Sequence, residues 1–127
     1  MKPKLPKTWF VDFDGTIAVH RGGELNGKDE PLPTTSKFFE LIGKEDKVII
    51  VTARNSVDEK NIWDFMKAHN YPCHQVICGL SSGARILIND EKPSGYITAY
   101  AISTKRDSGI PIGKITSVIE ETCDQYS

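Results

Sequence analysis

Along the chain, short continuous apolar runs alternate with stretches in which apolar residues recur every three or four positions. Trp9-Phe10-Val11 is an apolar run that reads as a strand, and the β-branched run Val48-Ile49-Ile50-Val51 has the character of a strand covered on both faces in a parallel sheet. Between them Phe38, Leu41 and Ile42 recur at i, i+3 and i+4, which predicts an amphipathic helix over about 34–44 that ends near Gly43. Ser56 and Glu59 have the spacing of a capping box, and Ile62, Phe65, Met66 and His69 fall on one stripe, so a second helix is expected over about 57–69. The first strand is expected at about 8–13, and further short strands at about 75–78, 85–89 and 97–103; a last helix over about 114–122 buries Ile115, Val118 and Ile119. Alternating strands and helices imply right-handed crossovers, and hence a three-layer Rossmann-like α/β fold with a parallel sheet and helices on both faces. The connection between the third and fourth strands is too short for a good helix, and a turn or a single helical turn is expected there.

The polar stretches divide this pattern. Residues 1–7, with three lysines and two prolines, read as an extended lead-in. From Gly15 to Pro33 the chain turns Gly- and Pro-rich with mixed charge, a loop or short hairpin placed to act as a flap. At 127 residues the chain is long enough for one core and too short for two, so a single domain is expected. A net charge of −1 leaves no footprint for general nucleic-acid or membrane-surface binding. The N-terminal MKPKLPKTWF lacks the apolar core of a secretory signal, and no stretch reaches the length of a membrane span. Cys73, Cys78 and Cys123 are odd in number and have no Cys-x-x-Cys spacing, which fits reduced thiols in a cytoplasmic protein. Cys73, His74 and Cys78 would need a fourth ligand at matching spacing to hold zinc, so they read as structural residues.

Chemistry enters at the strand ends. Period-two alternation sends Asp12 and Asp14 of Val11-Asp12-Phe13-Asp14-Gly15-Thr16 to the same side of the first strand. Carboxylates held this close repel, and they persist together mainly where a divalent cation sits between them or one keeps its proton. The plainer reading is a strand running into an acidic surface turn. In open parallel sheets, ligands sit beyond the carboxyl ends of the strands, so the residues that follow the other strands test the choice. Thr52-Ala53-Arg54-Asn55 follows the second strand and Asn89-Asp90-Glu91-Lys92 the fourth. A hydroxyl and helix-terminal amides suit a phosphoryl oxygen, and the acidic residues suit Mg2+.

The order and spacing of FVDFDGTI, VIIVTAR and ILIND resemble the haloacid dehalogenase superfamily of phosphohydrolases over roughly residues 8–103. The resemblance implies a Rossmann-like sheet with these motifs on adjacent strand ends. It implies Asp12 as the nucleophile that forms an aspartyl-phosphate, and Asp14 as general acid and then base. Thr52, with Ala53 and Arg54, would bind the phosphoryl group, and Asp12, Asp14 through its backbone carbonyl, and Asp90 would hold Mg2+. An acid at position 14 goes, in this superfamily, with phosphatases and phosphomutases.

Two departures stand out. The loop beside the third strand, Gly79-Leu80-Ser81-Ser82-Gly83, lacks the usual basic residue. Arg85 would begin the fourth strand, more than about 10 Å from its active end at ~3.3 Å per residue, so Lys92 is the expected substitute, with Lys60 and Arg54 behind it. Asn89 stands where relatives often carry a second aspartate, and Glu91 reads as a solvated charge. No stretch is long enough for a folded cap, which leaves an open site that could admit a large substrate or be closed by a second protein chain, with His20 and Arg21 in the flap either touching substrate or merely at the surface. The expected activity is Mg2+-dependent hydrolysis of a small phosphorylated metabolite such as a sugar phosphate. The alternatives are a nucleotide or polynucleotide 3′-phosphatase and a catalytically weak binding or regulatory module.

Overall fold

In the computed structural model, which describes residues 5–126, β1 (Thr8–Asp12) and β2 (Lys47–Val51) run parallel, with Thr8 opposite Lys47 and Asp12 opposite Val51. β3 (Gln75–Ile77) joins the other side of β2, pairing Ile49 with Gln75 and Val51 with Ile77, so the order is β1-β2-β3. All three strands end level. The residues that follow Asp12 and Val51 therefore leave the sheet at one edge, where ligands of open α/β sheets are bound. Of the expected lead-in over residues 1–7, only 5–7 lie within the described residues.

Among the described residues four α-helices accompany the sheet: α1 (Gly22–Asn26), α2 (Thr35–Glu40), α3 (Glu59–Ala68) and α4 (Ile112–Tyr126). The core gathers Val11, Phe13, Val48 and Ile50 from around the strands with Phe38, Ile62, Phe65, Met66 and Ile115 from the helices. α2 stops before the expected position because Gly43 and Asp46 close the chain there. The Asp46 amide donates to the Gly43 carbonyl, and the Gly43 amide donates to the Asp46 carboxylate. The capping box expected at Ser56 is not made; a short 3-10 turn over Ser56–Asp58 leads into α3 instead. Glu59 uses its carboxylate to accept the Trp63 indole N–H at 3.1 Å.

The strands expected at 85–89 and 97–103 do not form. Residues 81–95 are exposed throughout, and Ile86 and Ile88 are 84% and 91% exposed. Local bonds take the place of strand pairing: Asn89 donates to the Thr98 carbonyl, the Thr98 hydroxyl to the Asp90 carbonyl, and the Gly95 amide to the Lys92 carbonyl. A three-residue apolar run bounded by Ser-Ser-Gly and Lys-Pro-Ser-Gly thus closes on itself through its turn. The sheet of the described residues accordingly has three strands, and β1 is one of its edges.

The flap is a built structure. The Val19 amide donates to the Glu30 carbonyl at 2.9 Å and the Leu32 amide to the Ile17 carbonyl at 3.0 Å, while Ile17, Ala18 and Leu32 are buried beneath it. The His20 amide donates to Asp107 at 2.7 Å, which ties the flap to the segment before α4. Among the described residues no helix is long and apolar enough to cross a membrane.

Candidate active site

Phe13 is fully buried, packed edge-on against Phe65 with ring centroids 5.1 Å apart. Anchoring this one residue in the core turns its neighbours Asp12 and Asp14 the other way, and both are partly exposed at the end of β1. Gly15 follows at a positive φ of 80°, where side chains are strained, and lets the chain turn back so that Thr16 donates its hydroxyl to Asp12 Oδ2 at 3.1 Å. Burial pushes the Asp12 carboxyl above the ordinary aspartate value, and the nearby Asp14 charge adds to the rise. The Thr16 hydroxyl, the Phe13 amide and the charge of Arg85 act in the opposite direction.

Thr52 follows β2 and is buried, 1% exposed. Its amide donates to the Ile77 carbonyl, and its hydroxyl oxygen accepts the Arg54 amide at 3.0 Å. That local turn sends the Arg54 side chain across the strand ends. Arg54 Nε and Nη2 donate to the two oxygens of Asp14 at 2.9 and 2.7 Å. Nη1 and Nη2 also donate to the two oxygens of Asp29, at 3.2 and 2.7 Å. The guanidinium lies 4.8 Å over the Phe13 ring. The two-point bond to Asp14 raises the Arg54 pKa still further above its ordinary value, so the cation is permanent. Asp29 belongs to the flap, so one guanidinium joins both strand ends to it.

The structure brings Asp12, Asp14, Thr52 and Arg54 together, with Ala53 beside them on the wall of a cleft. Asp90 and Lys92 sit on the exposed 81–95 segment with Asn89 and Glu91. Arg85 lies on that segment too, its guanidinium donating to the Ser81 and Gly83 carbonyls at 2.8 and 2.9 Å, and its charge reaches Asp12. Arg85 was expected to be distant because a fourth strand would have carried it away from the strand ends; without that strand the distance argument lapses. Asp29 is the other residue that sequence reasoning passed over, because a single Asp in Asn-Gly-Lys-Asp-Glu-Pro looks like ordinary turn chemistry.

The cleft has a volume of about 1010 Å3 and runs between the flap and α3, lined by Asp14 and Arg54 together with His20, Lys28, Asn61 and His69. Arg21 lines it as well, paired with Glu24 at 2.8 Å.

Among the described residues no group of three or more His, Cys, Asp and Glu side chains is placed to hold a metal ion. Asp12, Asp14 and Asp90 do not form a three-carboxylate cage. Mg2+ does not require one, since it commonly keeps several waters and binds through one or two carboxylates and substrate phosphate. The half-buried Asp12 carboxylate at the end of β1 fits that mode. Cys73 and His74 are structural: burial pushes the Cys73 thiol up to about 11, and His74 Nδ1 accepts the Val48 amide at 2.9 Å. The chain matches no protein-family model, no curated protein and no solved structure.

Proposed function

We propose that the chain is a Mg2+-dependent phosphomonoesterase of the haloacid dehalogenase type, acting on a small phosphorylated metabolite such as a sugar phosphate. The observation that carries the reading is the level ending of β1 and β2, which sets the Asp12–Asp14 pair beside buried Thr52. On this reading the three-stranded sheet is the centre of a three-layer Rossmann-like fold.

In the reaction, an Asp12 carboxylate oxygen attacks phosphorus in line, and the bond between phosphorus and the leaving oxygen breaks. Asp14 gives its proton to that oxygen. Water then attacks the Asp12-bound phosphoryl group while Asp14 takes the water's proton, and inorganic phosphate and free Asp12 result. Arg54 holds both Asp14 oxygens, so one of these bonds has to be released before Asp14 can carry a proton, and Asp29 keeps the guanidinium in place meanwhile. Thr52 supplies a hydroxyl to the phosphoryl oxygens, and Arg85 supplies the positive charge near Asp12 that the Gly79–Gly83 loop lacks. Mg2+, held by Asp12 and the Asp14 carbonyl, would offset the repulsion between the anionic nucleophile and the phosphate.

A panel of sugar phosphates, nucleotides and a 3′-phosphorylated oligonucleotide, assayed with Mg2+ and with EDTA beside Asp12→Asn, tests the proposal. Metal-dependent phosphate release that disappears in Asp12→Asn supports it. Release unchanged in the variant places the activity elsewhere. A binding module on the same fold is favoured by the occupation of both Asp14 oxygens by Arg54. No turnover of any compound together with no detectable Mg2+ binding decides for that reading.

A further inference from the structure

We propose that the cleft between the flap and α3 is the leaving-group site, and that it selects phosphate esters with an uncharged, hydroxyl-bearing leaving group over those carrying a second phosphate. This inference rests on the phosphatase reading. Asp14 and Arg54 line the cleft, so an ester whose phosphorus is at Asp12 and whose leaving oxygen faces Asp14 extends into it. At about 1010 Å3 the cleft is at the upper end of small-molecule sites and accommodates a sugar with room to spare.

Its charge decides what can enter. Six carboxylates line it, on Asp14, Glu24, Asp29, Glu30, Asp58 and Asp64, against three cations, for a net −3 with His neutral. Each of the three cations is already in an ion pair: Arg54 with Asp14 and Asp29, Arg21 with Glu24, and Lys28 with Glu30 at 3.4 Å. A second phosphate entering the cleft would meet Asp58, and Asp64 in its exposed ion pair with Lys60 at 2.7 Å, while every cation lining the cleft is already paired. A hydroxyl both donates and accepts, and the same wall offers it Asn61 and Asp64 of α3 and Asp58 of the turn that leads into it. A polynucleotide end, with its flanking phosphates, is disfavoured for the same reason as a bisphosphate.

The experiment compares kcat/KM for a hexose 6-phosphate and a hexose 1,6-bisphosphate, with acetyl phosphate as a substrate too small to use the cleft. The monophosphate is expected to be preferred by about tenfold or more, a few like-charge contacts at intermediate dielectric. Asn61→Lys, at an exposed helix position, and Asp58→Asn are each expected to reduce that preference several-fold. Equal or better hydrolysis of the bisphosphate or of a 3′-phosphorylated dinucleotide overturns the inference, as does a preference that neither variant moves. If acetyl phosphate is not hydrolysed either, the phosphatase reading fails and the leaving-group assignment falls with it.

Discussion

Arg54 meets Asp14 in a two-point fork, Nε to Oδ2 at 2.9 Å and Nη2 to Oδ1 at 2.7 Å, while the rest of the same guanidinium holds Asp29 of the flap. Two carboxylates and one cation share a space in which the three side chains are 8–22% exposed, so solvent screens them little. Arg54→Ala would leave Asp14 and Asp29 facing each other without a counter-charge. A loss of about 2–3 kcal/mol is expected, below the 3–5 of a fully buried pair. Adding Asp29→Asn to Arg54→Ala should recover part of it, because the repulsion is then removed. Urea titration of the single and double variants checks this, and additive losses would show that the three groups are not coupled.

The Asp12 carboxyl is raised by burial, first, and by the Asp14 charge, last. On the proposed mechanism Asp12 must be ionised to attack, so activity should fail on the acid side at a higher pH than an ordinary aspartate would give. Thr16→Val removes the hydroxyl that lowers this pKa and should move the acid limb of kcat/KM to still higher pH, leaving the alkaline limb where it was. The same burial implies that the ionised form is unfavourable in the fold at neutral pH. Asp12→Asn should therefore abolish turnover yet gain on the order of 1 kcal/mol in stability, read as a rise in Tm.

The first half of the chain was legible because its local signals agree. Val48–Val51 is apolar on both faces and lies between β1 and β3; Ile62, Phe65 and Met66 share the stripe that α3 buries. The strand ends follow from the same runs, which is why Asp12, Asp14, Thr52 and Arg54 were placed at one edge before the fold was known. The second half was less legible. Ile86-Leu87-Ile88 carries a strand's composition, but a strand needs a partner edge, and this run stays exposed beside a locally bonded turn. Asp29 and Arg85 act through tertiary placement, and neither lies in a periodic pattern that would have pointed to it.

Arg85 and Lys92 make opposite predictions. Both are exposed, but only Arg85 is among the charges that act on Asp12. If the missing loop cation is supplied by Arg85, Arg85→Ala should lower kcat about 10–100-fold, less than the ~100–1000-fold of a fixed oxyanion donor because Arg85 is exposed. Lys92→Ala should change it less than about threefold, as for a surface lysine. Steady-state kinetics of the two variants, with circular dichroism to confirm folding, separate them. A larger loss in Lys92→Ala would return the role to the Asn89–Lys92 loop.

Asp46 holds the other end of the sheet. Its buried carboxylate accepts the Lys7 amide at 2.9 Å, the Trp9 indole N–H at 2.9 Å and the Gly43 amide at 3.0 Å. Burial alone would raise its pKa, yet these donors, with the Lys7 charge, bring it below the ordinary aspartate value. A carboxyl whose folded pKa is depressed contributes stability that is present above its unfolded value of 3.8 and is lost as pH falls through the lower, folded value. Asp46→Asn keeps the shape but gives up the charge and presents one acceptor oxygen to three donors, a loss of about 2–3 kcal/mol at neutral pH. Urea midpoints of the two proteins should therefore differ at pH 7 and converge in acid below the depressed folded value, where the wild-type carboxyl is itself protonated. A gap of the same size at both pH values would assign the loss to packing around Trp9 rather than to the carboxylate's charge.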